Sequence, residues 1–388
     1  MRDRKLVERL DIGILLLILA LVCFGLVGIG VAKRLPLEGG ETLMERLASF
    51  NMYYVKLHLI WFASGLLLMV MVLFFDYASF KHIAVFLYWI VIAMLVFLNV
   101  QGVIRGGAQS WFQIGPFTLQ PSEFGKLAII IMLAKQLAGR EDEDEPAEEE
   151  PQWKKIVTCA VIVGIPLVLV VMQPDFGTAM VYMVIFFVML FVGGIRIWWL
   201  LGMVGAAAAA APTLYFTVFN EEQQHRILTF LNPELDPMGQ GYQVMQAKTA
   251  IGSGQITGKG ILTGNTLSQL NYLPVPHSDF IFPVIVEALG FIGGAAIIVL
   301  FLLLILRSIR VSRKAKDKFG SYIVVGVCAL MIAHIVENIG MTMGLMPVTG
   351  IPLPFISYGG TFMYTCMIAF GLVLNVGMRS QKSIFRRT

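Results

Sequence analysis

The sequence predicts an all-α polytopic membrane protein of about ten transmembrane helices, with one large extracytoplasmic loop between helices 7 and 8. Three observations carry that reading. Of 388 residues, 57% are hydrophobic and only 14% charged, against about 25% charged in an ordinary soluble domain. Apolar runs of roughly bilayer-spanning length, about 20 residues, recur along the whole chain. Lysine and arginine gather in alternate connections, as they do where one side faces the cytoplasm. Length alone would allow two or three domains, but spans packed in one bundle make 1–388 a single membrane domain.

The first apolar run, Ile12–Ala32, has no clear cleavage pattern and is long enough to span, so it is read as a helix and not as a removable signal peptide. Further runs lie near 54–75, 82–100, 122–138, 156–173, 177–194, 199–218, 280–306, 322–342 and 361–377. Between the fifth and sixth, Met172-Gln173-Pro174-Asp175-Phe176-Gly177 reads as a tight reversal, because Pro and Gly both break helices there. Cys23, Cys159, Cys328 and Cys366 each stand alone in an apolar segment. They lack metal or disulfide spacing and read as small buried hydrophobes.

Placing the N-terminus in the cytoplasm gives that side nineteen of the 29 basic residues, including Arg2, Arg4, Lys5, Arg9, the cluster Arg307, Arg310, Arg313, Lys314, Lys316, Lys318, and the tail Arg379, Lys382, Arg386, Arg387. Both termini are therefore expected in the cytoplasm. Within the cytoplasmic loop 139–155, EDEDEPAEEE (141–150) carries eight of the 25 acidic residues. Such a run is ordinarily a solvated loop; partner docking is the alternative. Three outer segments remain. The first, 33–53, is unremarkable. The second, 101–122, reads QGVIRGGAQSWFQIGPFTLQPS, and the third, 219–279, is too polar to span. A loop of that length is usually functional or disordered. Its aromatics, a helical-looking piece at 242–251 and its glycine turns argue for order.

Ionisable and aromatic residues from four segments fall on this outer face. Arg105 and Trp111 lie in the second outer segment, Glu123 and Lys126 enter the fourth helix, Asp175 sits in the outer reversal, and His277 and Asp279 end the long loop. A charged group at the edge of hydrocarbon is a functional-site hypothesis by default. Each also has a structural reading: Asp279 could cap a helix, Glu123 and Lys126 could simply pair across three residues, and Trp111 could anchor at headgroup level instead of stacking on a sugar. A partly desolvated Asp279 beside a hydroxyl-bearing substrate would suit a general base. Arg105, Lys126, Lys248 or Lys259 could offset an anionic leaving group. The glycine turns at 251–254 and 257–260 could offer N–H groups to phosphate, although without Walker-type spacing. No nucleotide, kinase or zinc motif is present in the sequence. No organic cofactor and no nucleic-acid partner are expected, and phosphate energy would have to arrive with the substrate.

These residues resemble those of the SEDS family (shape, elongation, division and sporulation), membrane glycosyltransferases that polymerise peptidoglycan strands. Five stretches carry the resemblance in order: GAQSWFQIGPFTLQPSEFGKLA (107–128), QPDFGTA (173–179), GYQVMQAKTAIGSGQITGKG (241–260), PVPHSDFIFPVIVEALGFIG (274–293) and NIGMTMGLMPVTGIPLPFISYGG (338–360). The last is more similar to the elongation branch than to the division branch. The family's essential carboxylate falls on Asp279, its outer-loop tryptophan on Trp111, and its charged outer-face residues on Glu123, Lys126 and Asp175. Two positions depart from the pattern: Ser110 and Thr118 stand where many members carry a basic residue.

The resemblance implies polymerisation of lipid II on the outer face of the bacterial cytoplasmic membrane, by inverting displacement of undecaprenyl pyrophosphate. The implied partners are lipid II, the nascent glycan strand, a class B penicillin-binding protein transpeptidase, other elongation-complex membrane proteins and membrane lipids. A divalent cation (Mg or Mn) is a possible assistant to pyrophosphate departure; no dedicated metal ligands are recognisable. Two other classes remain: a lipid-linked precursor flippase, which should place its charges near the midplane with an inverted repeat, and a scaffold for a partner synthase, which would leave Asp279 unexplained.

Overall fold

The computed structural model describes residues 9–34, 42–105, 108–115, 117–139, 151–217, 221–263, 266–267, 269–270, 272–273 and 275–380. The acidic run 141–150 and most of the basic tail lie outside the described residues, as do Arg2, Arg4, Lys5 and Pro274. Each of the ten apolar runs is a helix. They are α1 (Ile12–Ala32), α3 (Met52–Phe74), α4 (Ser79–Gln101), α5 (Pro121–Ala138), α6 (Gln152–Val171), α7 (Phe176–Val192), α8 (Ile197–Thr217), α11 (Ile281–Arg313), α12 (Lys318–Thr342) and α13 (Gly360–Met378). Eight are long and apolar enough to cross a membrane by themselves. The two others are α5, which carries Glu123, Lys126 and Lys135, and α7, which has only 17 residues. Three of the acidic residues adjoining helices are helix caps: Asp11, Asp175 and Asp317 accept from the backbone N–H of Ile14, Thr178 and Gly320.

The outer segments hold more regular structure than the sequence suggests. Segment 33–53 contains a short helix, α2 (Leu43–Ala48), and Arg34, which is buried. The Arg34 guanidinium donates to Ser49 Oγ (2.7 Å) and to the carbonyls of Arg46 (3.1 Å), Ile261 (3.1 Å) and Thr263 (3.2 Å). This corrects the expectation of a featureless first loop, since Arg34 ties it to the large one. Segment 101–122 folds as an antiparallel sheet, β1 (Val103–Arg105), β2 (Ala108–Ile114) and β3 (Phe117–Leu119), in the order β1-β2-β3. The large loop holds α9 (Glu221–Leu231), a 3-10 turn (Pro233–Leu235) and α10 (Gln240–Ser253).

Helix α12 is the centre of the bundle, packing on α5, α7, α11 and α13, while α1 packs on α11 and α3 on α13. Helix α11 is interrupted at Gly290 (φ 72°, ψ −169°). The free backbone groups there are taken up by the loop after α10. Lys259 and Gly260 donate to the Glu287 and Ala288 carbonyls (both 2.9 Å), and Phe291 and Ile292 donate to Gln255 (2.8 Å) and Ile256 (3.2 Å). Irregular backbone at membrane depth is tolerated where protein satisfies it. A Cβ at Gly290 would collide with Gly258 N and Ile256 O.

Candidate active site

Asp279 does not cap α11. The N-cap residue is Phe280, and no side chain bonds the first turn. The carboxyl is instead delivered by a backbone segment pinned at three consecutive carbonyls. Tyr358 N–H donates to His277 O (3.0 Å), Ser357 Oγ to Ser278 O (2.7 Å) and Asn338 Nδ2 to Asp279 O (2.9 Å). Asn338 also donates to Ile351 O (2.6 Å), and Ser357 Oγ accepts from Leu353 N–H (2.8 Å). One asparagine from the centre of the bundle thus sets the distance between the Asp279 segment and the loop that precedes α13.

Beside the Asp279 carboxyl that loop turns through Gly350 (φ 75°), so only a Cα faces the oxygen; an added Cβ would come within 3.5 Å of Oδ2. Among the described residues no cation is in ion-pair distance of Asp279. Asp279 as a residue is half-buried, and its carboxyl is desolvated. Loss of water raises its pKa to about 6, partly offset by the Ser278 hydroxyl.

His277 sits in an aromatic cluster, its ring 5.3 Å from Tyr54 and 5.2 Å from Tyr358, with Trp61 4.6 Å from Tyr358. Lys33 Nζ lies over the Tyr54 ring at 4.9 Å. Burial, reinforced by the Lys33 charge, lowers the His277 pKa to about 4, so the imidazole is neutral at physiological pH.

A second polar cluster lies deeper. Lys126 Nζ donates to Glu123 Oε1 (2.6 Å) and contacts His334 Nε2 (3.0 Å), and both members of the Glu123–Lys126 pair are buried. His334 Nδ1 lies 3.0 Å from Pro352 O. A carbonyl only accepts, so Nδ1 carries the proton and Nε2 receives the ammonium N–H. His334 and Asn338 both hold the loop at Ile351 and Pro352, which joins the two clusters through that loop.

Not every expected residue joins them. Asp175 accepts from Thr178 N–H (3.1 Å), Thr178 Oγ1 (2.9 Å) and Gln120 Nε2 (3.0 Å), fixing the start of α7. Lys259 is bound to the buried Glu287 (2.8 Å), which also accepts from Leu267 N–H (3.0 Å). The ammonium groups of Lys126 and Lys259, expected to offset a leaving group, are therefore already held by carboxylates. Lys248 is exposed on α10 with its side chain against Gly344. Trp111 is half-buried on β2, opposite Val103, and Arg105 stands at the end of β1 opposite Ala108, its side chain outside the described residues. Among the described residues no group of three or more His, Cys, Asp or Glu could hold a metal ion.

The sequence reading passed over Asn338, His334, Ser357, Tyr358 and Tyr54. The signal for Asn338 and His334 was present: polar side chains within a run otherwise apolar enough to span.

Comparison with known proteins matches residues 13–382 to the family model FtsW/RodA/SpoVE, described as cell cycle protein. The peptidoglycan glycosyltransferase MrdB of Escherichia coli K12 is 37% identical over 315 residues, covering 81% of this chain and 83% of MrdB. A solved chain from a peptidoglycan synthase complex, studied for its coordination of polymerization and crosslinking, superposes with TM-score 0.75 at 28% identity over 95% of this chain and 97% of that one. The rod shape determining protein RodA of Thermus thermophilus gives TM-score 0.66 at 25% identity, covering 96% and 98%.

Proposed function

This chain belongs to the FtsW/RodA/SpoVE family of multi-pass membrane proteins, and from that premise we propose that it is a peptidoglycan glycosyltransferase whose general base is Asp279. It polymerises lipid II during cell elongation. The Asp279 carboxylate takes the proton from the 4-hydroxyl of the acceptor GlcNAc. That oxygen attacks the anomeric carbon of MurNAc at the end of the growing strand. The new C–O bond forms as the bond to undecaprenyl pyrophosphate breaks, and one displacement converts the α-linked donor into a β-1,4 linkage.

The observation that carries this reading is a carboxyl without an ion-pair partner among the described residues, held by its backbone at three points and raised toward the operating pH, where a base is most effective. Taking α5 and α7 as spans beside the eight helices long and apolar enough to cross, this reading puts both ends of the chain on one side and, seven spans on, Asp279 on the other. The positive-inside rule makes the first side cytoplasmic. Among the described residues no group of three or more His, Cys, Asp or Glu is placed to cage Mg2+ or Mn2+. A divalent cation would therefore arrive as a counter-ion of the substrate's own phosphates, with at most one or two carboxylates from the protein. Class B penicillin-binding protein is the proposed partner, by analogy with the synthase complex whose chain superposes on this one.

The test is incubation of purified wild-type protein and Asp279→Asn with labelled lipid II. Wild type is expected to give polymer, and the variant none while remaining folded. Polymer from both would remove Asp279 as base; translocated lipid without polymer would make the protein a flippase.

A further inference from the structure

Beyond its break at Gly290, α11 runs uninterrupted from residue 291 to 313, 23 residues or roughly 35 Å at 1.5 Å per residue, against a hydrocarbon core of about 30 Å. Its end remote from Asp279 therefore projects into the headgroup layer. Along that end one face stays open to the surroundings: Val299, Leu302, Leu303 and Leu306 are 51%, 53%, 44% and 42% exposed, and Arg310 and Arg313 are exposed as well. These six positions recur at intervals of three and four residues and form one continuous stripe. The opposite side, Phe301, Leu304, Ser308 and Val311, is buried against the bundle. An aliphatic seam facing lipid thus changes to guanidinium on the same face.

We infer that this stripe is a binding site for an anionic phospholipid. The acyl chains lie along Val299–Leu306 and the phosphate is held by Arg310 and Arg313. Lys314, Lys316 and Lys318, all exposed in the turn and at the start of α12, extend the same positive field. Charge placed only to set topology could face any direction around the helix. Here Arg307, outside the stripe, is paired with Asp11 (2.7 Å), whereas among the described residues no carboxylate pairs with Arg310 or Arg313. Guanidinium groups suit phosphate because they offer forked donors. With the orientation proposed above, the lipid belongs to the inner leaflet.

The experiment is native mass spectrometry of the delipidated full chain, titrated with phosphatidylglycerol or with phosphatidylcholine. Wild type is expected to bind the first phosphatidylglycerol about 10- to 30-fold more tightly than phosphatidylcholine, as two basic contacts near a charged lipid surface imply. Arg310→Gln/Arg313→Gln should lose most of that preference, while Lys154→Gln/Lys155→Gln, elsewhere on the same side, should keep it. Independently of any variant, 0.5 M salt (about a 4 Å screening length) should erase the preference of the wild type. Equal binding of both lipids by wild type, an unchanged preference in the arginine variant, or an equal loss in the lysine variant would each overturn the site. The first of these is also the result expected if the stripe serves an acidic protein segment.

Discussion

Asp279 is a carboxyl held in a place that disfavours its charge, and that has two measurable consequences. With a pKa raised from 3.8 to about 6, the proposed base is mostly protonated below pH 6 and cannot accept the acceptor's proton. The kcat/KM for polymerisation should therefore rise with pH through an acidic limb near 6. His277 would be the usual suspect for such a limb, but its pKa is lowered to about 4. His277→Gln should accordingly leave the limb where it is, whatever it does to the maximum rate. The second consequence is for stability. The folded state keeps the Asp279 proton over a range where the unfolded chain has lost it, so this group's stabilising contribution is complete below pH 3.8 and lost as pH rises through 6. Asp279→Asn, the variant expected to give no polymer, should be more stable than wild type at pH 7.5 by about 1–3 kcal/mol, checked by thermal unfolding in one detergent at pH 5 and pH 7.5. Asp279 was legible in the sequence because a charge at the mouth of an apolar run stands out. Asn338 stands out as a polar side chain in an apolar run, but its supporting role and those of Ser357 and Tyr358 were not legible, because they act through main-chain carbonyls on residues up to 81 positions away.

Among the elements, the ten long helices were readable because hydrocarbon imposes length and composition on any helix that crosses it. Boundaries moved by a few residues, most at α11, which runs to Arg313 where hydropathy stops near 306. The sheet in segment 101–122 was missed: its strands are three, seven and three residues long, too short to establish alternation. The meaning of Lys259 was also hidden. The sequence allows a glycine-rich phosphate cradle, whereas in the fold the loop's N–H groups donate to α11 carbonyls before Gly290 and its carbonyls accept from α11 N–H groups after it. Gly290→Ala should therefore drive the loop 254–260 off the helix, because the new methyl meets backbone and φ is positive. The expected loss is about 2–4 kcal/mol, with Lys259 becoming more reactive to amine labelling. Gly164→Ala on α6, where a Cβ meets nothing within 4 Å, should be neutral or stabilising by up to about 1 kcal/mol. Equal melting of the two variants would show that the loop is not held in this way.

At the scale of the whole molecule, the bundle is organised around polar contacts that apolar packing alone would not specify. Lys126, Glu123 and His334 connect α5 to α12. Lys126→Met should cost about 3–5 kcal/mol by stranding Glu123. Adding Glu123→Gln should recover much of that, and a double-mutant cycle on thermal unfolding reads the coupling directly. The three-residue spacing of Glu123 and Lys126 was visible in the sequence; His334 stood out only as a polar residue in a separate apolar run, and its pairing with them was not visible. Its distance along the chain also matters for biogenesis. Lys126 leaves the ribosome 208 residues ahead of His334, a delay of roughly 10–40 s at ordinary synthesis rates. Through that interval Glu123 is the counter-charge on the same nascent helix, and a translocon receives α5 as a near-neutral segment in place of one bearing a naked ammonium.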